Sequence, residues 1–145
     1  MWVFLDDNRE SPMVVHNNHR GLGVDFGKSK NWVYARNYEE FVNLISTNFD
    51  QIDLISFDHD IYSWDYLEKD GILVEKTGKD AAQYIIDFCI DNNKVLPNWF
   101  VHSDNTGGNK NIRTLLLNYM FRVEGRVKNM EDSFGWIDGR LFYTI

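Results

Sequence analysis

A single cysteine, Cys89, in 145 residues excludes an internal disulfide framework and fits a reducing compartment. No apolar run approaches the length that a bilayer-spanning helix needs, and the N-terminus lacks the charged, apolar and small-residue order of a signal peptide. The chain is therefore expected to be soluble and cytoplasmic, with no membrane partner. Positive charge is also short: 15 Lys+Arg stand against 22 Asp+Glu, a formal net charge of −7. Affinity for duplex nucleic acid rests on neutralising many phosphates, so a long nucleic-acid partner is not expected. One small phosphate remains compatible, because a divalent cation or a few backbone N–H groups hold it even in an acidic protein. Internal repeats and low-complexity segments are absent as well. At this length, 43% hydrophobic content suffices for one core, and a single domain over residues 1–145 is expected.

Three apolar runs of strand length end abruptly in polar residues. Ile52 to Phe57 delivers Asp58, His59 and Asp60; Trp2 to Leu5 delivers Asp6, Asp7, Asn8 and Arg9; Trp99 to Val101 delivers His102, Ser103, Asp104 and Asn105. Continuous apolar runs rich in β-branched and aromatic residues read as buried parallel strands, and open α/β sheets place their chemistry at the carboxyl ends of such strands. The three polar exits are expected to form one cluster. Taken singly, Asp6 or Asp7 reads as a turn residue neutralised by Arg9. As an adjacent pair after a buried strand they favour a hard cation with oxygen ligands.

Between these runs the chain supplies scaffold. Residues 13–31 are polar and Gly-rich and read as a long surface loop, in which His16 and His19 are expected to be solvated. Trp32 to Arg36 reads as a second strand. Asn37 followed three residues later by Glu40 marks a helix start, with Phe41, Leu44, Ile45 and Phe49 on one face. Ile61 to Lys76 mixes aromatics with charges and reads as an irregular segment, either a cover for a ligand or an insertion packed on the body. Thr77 and Asp80 mark a second helix, with Ala81, Ala82, Ile85, Ile86 and Cys89 facing the core.

After the strand ending at His102, a glycine-containing loop through Asn111 is expected to lead into a helix carrying Ile112, Leu115, Leu116 and Tyr119. Glycines ahead of a helix let backbone N–H groups approach an anion. From residue 121 onward, Phe121 to Val123, Arg126-Val127 and Leu141 to Ile145 read as short antiparallel strands turned at Glu124-Gly125 and Asp138-Gly139. This tail would extend the sheet or form a partner surface through which a homodimer pairs. The expected fold is α/β: an open, mainly parallel receiver- or flavodoxin-like sheet flanked by helices over residues 1–120, with a C-terminal antiparallel β extension over 121–145.

Leu5-Asp6-Asp7-Asn8-Arg9-x-x-Pro12, then Asp58-His59-Asp60, Thr77-Gly78, and His102-Ser103-x-Asn105 with Gly108 and Asn111 together resemble the cyclic-phosphate-processing receiver-like domains. The resemblance runs in order from about Leu5 to about Tyr119. It implies a metal pocket of Asp6, Asp7 and Asp58, with Asp60 close by, loaded with Mg²⁺ or Mn²⁺. It implies His59 and His102 as an acid/base pair, Asp58 among the catalytic groups, and Arg9, Ser103, Asn105, Gly108 and Asn111 as phosphate-binding residues. The implied activity is metal-dependent hydrolysis or processing of a small cyclic phosphate or nucleotide. Two other functions use the same pocket: a module that sequesters a cyclic nucleotide unchanged, and a phosphoacceptor signalling domain using Asp58. Against the last, the chain has no Lys-Pro of the kind that phosphoacceptor receivers place at the end of a fifth strand, and Lys110 lies in the wrong kind of loop to replace it.

Overall fold

The computed structural model describes residues 1–8, 32–61, 63–67, 72–102, 105–125, 134–137 and 140–143. Four strands form a parallel sheet: β1 (Trp2–Leu5), β2 (Trp32–Ala35), β3 (Leu54–Phe57) and β6 (Asn98–Val101), in the spatial order β2-β1-β3-β6. The register is in step across all four, with Leu5 opposite both Ala35 and Phe57, and Phe57 opposite Val101. All four strands therefore end in one row, which aligns their exits along a single edge of the sheet.

The two faces of the sheet differ in chemistry, as side chains two residues apart share a face. One face carries Val3, Leu5, Ile55, Phe57, Trp99 and Val101 in a single buried core, with Phe41 and Ile45 of α1 (Tyr38–Asn48), Ala81, Ala82, Ile85, Ile86 and Cys89 of α2 (Gly78–Asn92), and Ile112, Leu116 and Tyr119 of α3 (Thr106–Tyr119). The opposite face carries an aromatic cluster in which Phe4 meets Trp32 and Tyr34 edge-on, at centroid separations of 5.6 and 5.8 Å. Each core aliphatic buried here contributes about 1.5–3 kcal/mol by transfer from water.

The helix starts match their sequence signatures. Asn37 accepts a hydrogen bond from the Glu40 N–H at 2.8 Å, while the Glu40 carboxylate accepts from the Arg36 N–H. Thr77 and Asp80 form a reciprocal capping box: Thr77 Oγ1 accepts from the Lys79 N–H, and Asp80 Oδ2 accepts from the Thr77 N–H. No helix among the described residues is long and apolar enough to cross a membrane.

Three expectations are corrected. The segment Ile61 to Lys76 is not irregular: after Ile61, which is buried, β4 (Ser63–Leu67) pairs antiparallel with β5 (Ile72–Lys76) as a hairpin. Phe121 to Val123 is not a strand, and Glu124-Gly125 is not a hairpin turn. α3 runs on into a π-helical turn, Met120–Glu124. Buried Met120 receives the indole N–H of Trp99 on its sulfur at 3.2 Å, and Glu124 Oε1 accepts from the Leu96 N–H at 2.9 Å, so the turn is tied down on both sides. Gly125, with φ of 64°, ends it in the left-handed region. The third correction concerns α3, which starts at Thr106, so Gly107 and Gly108 belong to its first turn and Asn111 lies within it rather than in a preceding loop.

At the C-terminus, Leu141 to Tyr143 is strand as expected, within β8 (Arg140–Tyr143), which pairs antiparallel with β7 (Phe134–Ile137) and lies beside β6. Arg126, Val127, Asp138 and Gly139 lie outside the described residues, as do His16 and His19.

Candidate functional site

Because the strands end in step, the next residues of each form a row along the carboxyl edge of the sheet: Arg36, Asp6, Asp58 and His102. Backbone bonds carry the parallel ladder one residue further and hold that row, with the Asp6 N–H donating to Ala35 O, the Asp58 N–H to Leu5 O and the His102 N–H to Phe57 O. Asp6, Asp58 and His102 are all buried. Each offers one ligand atom within 4.8 Å of the others, the one such group among the described residues.

His102 and Asp6 are the most enclosed members. The His102 ring stacks on Phe4 with centroids 4.4 Å apart and planes within 8°. Nε2 lies 2.9 Å from Asp6 Oδ2, in a pair whose side chains are both 0% exposed, and Nδ1 lies 2.6 Å from the hydroxyl of buried Ser56. The other Asp6 carboxylate oxygen accepts from the Asn8 N–H, and the Asp6 carbonyl accepts from Arg36 Nη1 at 3.2 Å. The Arg36 guanidinium lies over the Tyr34 ring, 4.4 Å from its centroid. A polar pair removed from water in this way holds only if its remaining lone pairs and protons find partners, and these contacts contribute to that.

His59 sits differently. Its Nδ1 is 2.7 Å from Asp60 Oδ1, its side chain is 17% exposed, and the Asn105 side-chain amide donates to both Asp60 oxygens at 3.3–3.4 Å. The hydrogen bond from His59 holds the Asp60 carboxyl below its ordinary value of 3.8; partial burial opposes this, while Asn105 and the charge of His59 add to it. Asp60 is thus engaged with His59 rather than gathered with Asp6, Asp58 and His102.

Asn105 does two things at once, because its Oδ1 accepts from the Gly108 N–H at 2.8 Å as the N-cap of α3. Gly108 therefore uses its N–H within the helix. Its Cα faces the His59 ring so closely that a side chain there would overlap the ring, and Gly78 likewise sits against the backbone of Asp58 and His59. The two glycines are spacers that let α2 and α3 approach the β3 exit.

Of the residues expected at the site, Asp6, Asp58 and His102 come together as one buried cluster, and His59, Asp60 and Asn105 as a second, half-exposed one. Asp7 is partly exposed beside Asp6, and Asn111 is exposed on α3. Arg9 and Ser103 lie outside the described residues. Sequence reasoning misses two residues. Arg36 reads only as the end of a strand, although it occupies the same post-strand position as Asp6 and Asp58. Ser56 alternates onto the face of Asp58 and is the one polar side chain inside an apolar strand, which is the signal that could have found it.

The chemistry of the donor set fits a divalent cation. Two buried carboxylates at neighbouring strand ends repel one another, and an imidazole nitrogen beside them completes a set of hard and borderline donors.

A parallel α/β sheet in the order β2-β1-β3-β6, whose carboxyl edge gathers an acidic pair and two histidines, defines a receiver-like domain. The chain belongs to the cyclic-phosphate processing receiver domain family, whose model matches residues 1–118. No curated protein and no solved structure matches the chain.

Proposed function

We propose that this domain hydrolyses a small cyclic phosphate, a cyclic nucleotide or related ring phosphodiester, with a divalent cation, Mg²⁺ or Mn²⁺, held by Asp6, Asp58 and His102. The observation that carries the reading is the single row Arg36, Asp6, Asp58 and His102, flanked by the His59–Asp60 pair. A bound cation would supply positive charge against the non-bridging phosphate oxygens.

Opening the ring requires one proton to leave the attacking water and one to reach the departing oxygen as the P–O bond breaks. His59 is the group suited to that exchange. Asp60 engages Nδ1 and fixes the ring, which leaves Nε2 for the reacting proton, and partial exposure lets a ligand reach it. His102 has both nitrogens engaged in the interior, so its part is to hold Asp6 and complete the cation site rather than to meet the substrate. Arg36 brings a permanent cation to the same edge, where it suits a phosphate oxygen.

The test tracks new phosphorus species by ³¹P NMR when the protein meets a panel of cyclic phosphates with Mg²⁺ or Mn²⁺, and with EDTA as control. Cation-dependent conversion of one compound, abolished in His59→Gln with folding intact, is the expected result. A compound that raises the melting temperature and is recovered unchanged would overturn hydrolysis in favour of sequestration.

A further inference from the structure

We propose that Ser56 is the positioning residue of the cation site: its hydroxyl serves His102 with the proton on either nitrogen, so that Nε2 can donate to Asp6 or turn its lone pair to a cation. The inference rests on the cation site proposed for Asp6, Asp58 and His102. Nε2 lies 2.9 Å from the Asp6 carboxylate and Nδ1 2.6 Å from the Ser56 hydroxyl; in the neutral ring with its proton on Nε2, Asp6 accepts from Nε2–H and Nδ1 accepts from Ser56. A cation shared with Asp6 and Asp58 needs Nε2 without its proton. The proton then resides on Nδ1, which must donate, and the same hydroxyl accepts.

A hydroxyl does both, being one donor and two acceptors on a rotating bond. A backbone carbonyl in that place would accept only, and a carboxylate would add a third negative charge to the cluster. Ser56 is fully buried and lies 2.6 Å from Nδ1, so its hydroxyl is placed to serve either tautomer. The flat Phe4 ring, stacked on the imidazole, holds the ring plane while the proton changes place. As a cation binds, the Nε2 proton leaves to solvent and Nδ1 takes one up from solvent, so the imidazole stays neutral and the Ser56 hydroxyl only turns.

The experiment reads the imidazole nitrogens of His102 by two-dimensional ¹H–¹⁵N NMR on the full chain, with and without Zn²⁺, a diamagnetic ion that accepts carboxylate and imidazole together. With four histidines in the chain, assignment by His102→Gln is direct. The expected result is a proton on Nε2 without the ion and on Nδ1 with it. Ser56→Ala should weaken Zn²⁺ binding by about 10-fold or more, the usual effect of removing a group that orients a ligand, and Ser56→Thr should restore it. Binding seen at the Asp6 and Asp58 amides with the His102 proton unmoved would overturn the role of Ser56 and leave the cation reading standing. Equal affinity in Ser56→Ala would do the same. Should no ion bind the wild-type chain, both readings fall. The wild-type spectra decide the matter even if Ser56→Ala does not fold.

Discussion

Gly78→Ala and Gly108→Ala add the same methyl group in the first turn of a helix, yet their effects should diverge. Either change gains at most about 1 kcal/mol from helix propensity. At position 78 the new Cβ meets the carbonyl of Asp58 and the Cα of His59, and the Gly78 N–H is already bound to the His59 carbonyl at 2.7 Å. Backbone on both sides leaves nothing that yields cheaply. Overpacking of this kind costs typically about 1–3 kcal/mol, and a backbone obstacle belongs at the upper end, for a net loss of about 2 kcal/mol. In a domain of this size that lowers the melting temperature by roughly 4–8 °C. At position 108 the obstacle is the ring of His59, a partly exposed side chain that can swing outward. The cost of moving it offsets the propensity gain, so stability should change by less than about 1 kcal/mol while His59 is displaced from Asp60. Urea unfolding monitored by tryptophan fluorescence measures the first effect, and the His59 imidazole resonances measure the second. Wild-type stability in Gly78→Ala, or an equal loss in both variants, would refute the claim that backbone contact at the β3 exit sets the position of α2.

Two further outcomes test the two histidine environments. His102→Ala takes the imidazole away from buried Asp6 and should cost about 3–5 kcal/mol in chemical denaturation, with the Asp6→Ala/His102→Ala double variant costing clearly less than the sum of the singles. Asp60→Asn should cost less than about 1 kcal/mol, since the His59–Asp60 pair is partly exposed. Because folding lowers the Asp60 pKa, its contribution is present above the ordinary value of 3.8 and fades as pH falls through the lower folded value. Stability curves of wild type and Asp60→Asn should therefore converge toward acid, and curves that stay parallel would contradict the cause assigned to the shift.

The three polar strand exits are legible in the sequence because buried parallel strands are apolar throughout, so Asp6, Asp58 and His102 stand out at their ends. Both helix caps, Asn37 and Thr77, are legible for the same kind of reason: a local hydrogen bond fixes a local pattern. What escapes is set by contacts distant in sequence. The Ser63–Leu67 strand interleaves aromatics with a charge, Ile72–Lys76 ends in Glu75 and Lys76, and the two depend on one another for pairing, so the stretch as a whole does not show the pattern of a strand. Met120 to Glu124 carries β-forming residues but continues α3, because Trp99 and Leu96 hold it from another element. Asp60 resembles a third metal carboxylate in its spacing, yet the turn after β3 brings it to His59. The depth of His102, which separates its part from that of His59, depends on Phe4 and Ser56, which arrive from two other strands far back in the chain.

The bond from the Gly78 N–H to the His59 carbonyl has a consequence for how the domain tolerates change. It brings the two ends of the β4–β5 hairpin together at its base, so the Ser63–Leu67 and Ile72–Lys76 strands spring from a closed neck beyond the buried Ile61. Chain-closure entropy across that neck rises only as the logarithm of loop length, roughly 0.6 kcal/mol for each doubling. The hairpin is thus a natural graft point. An engineered chain with the hairpin shortened, lengthened or exchanged for a reporter should keep the register of the row from Arg36 to His102.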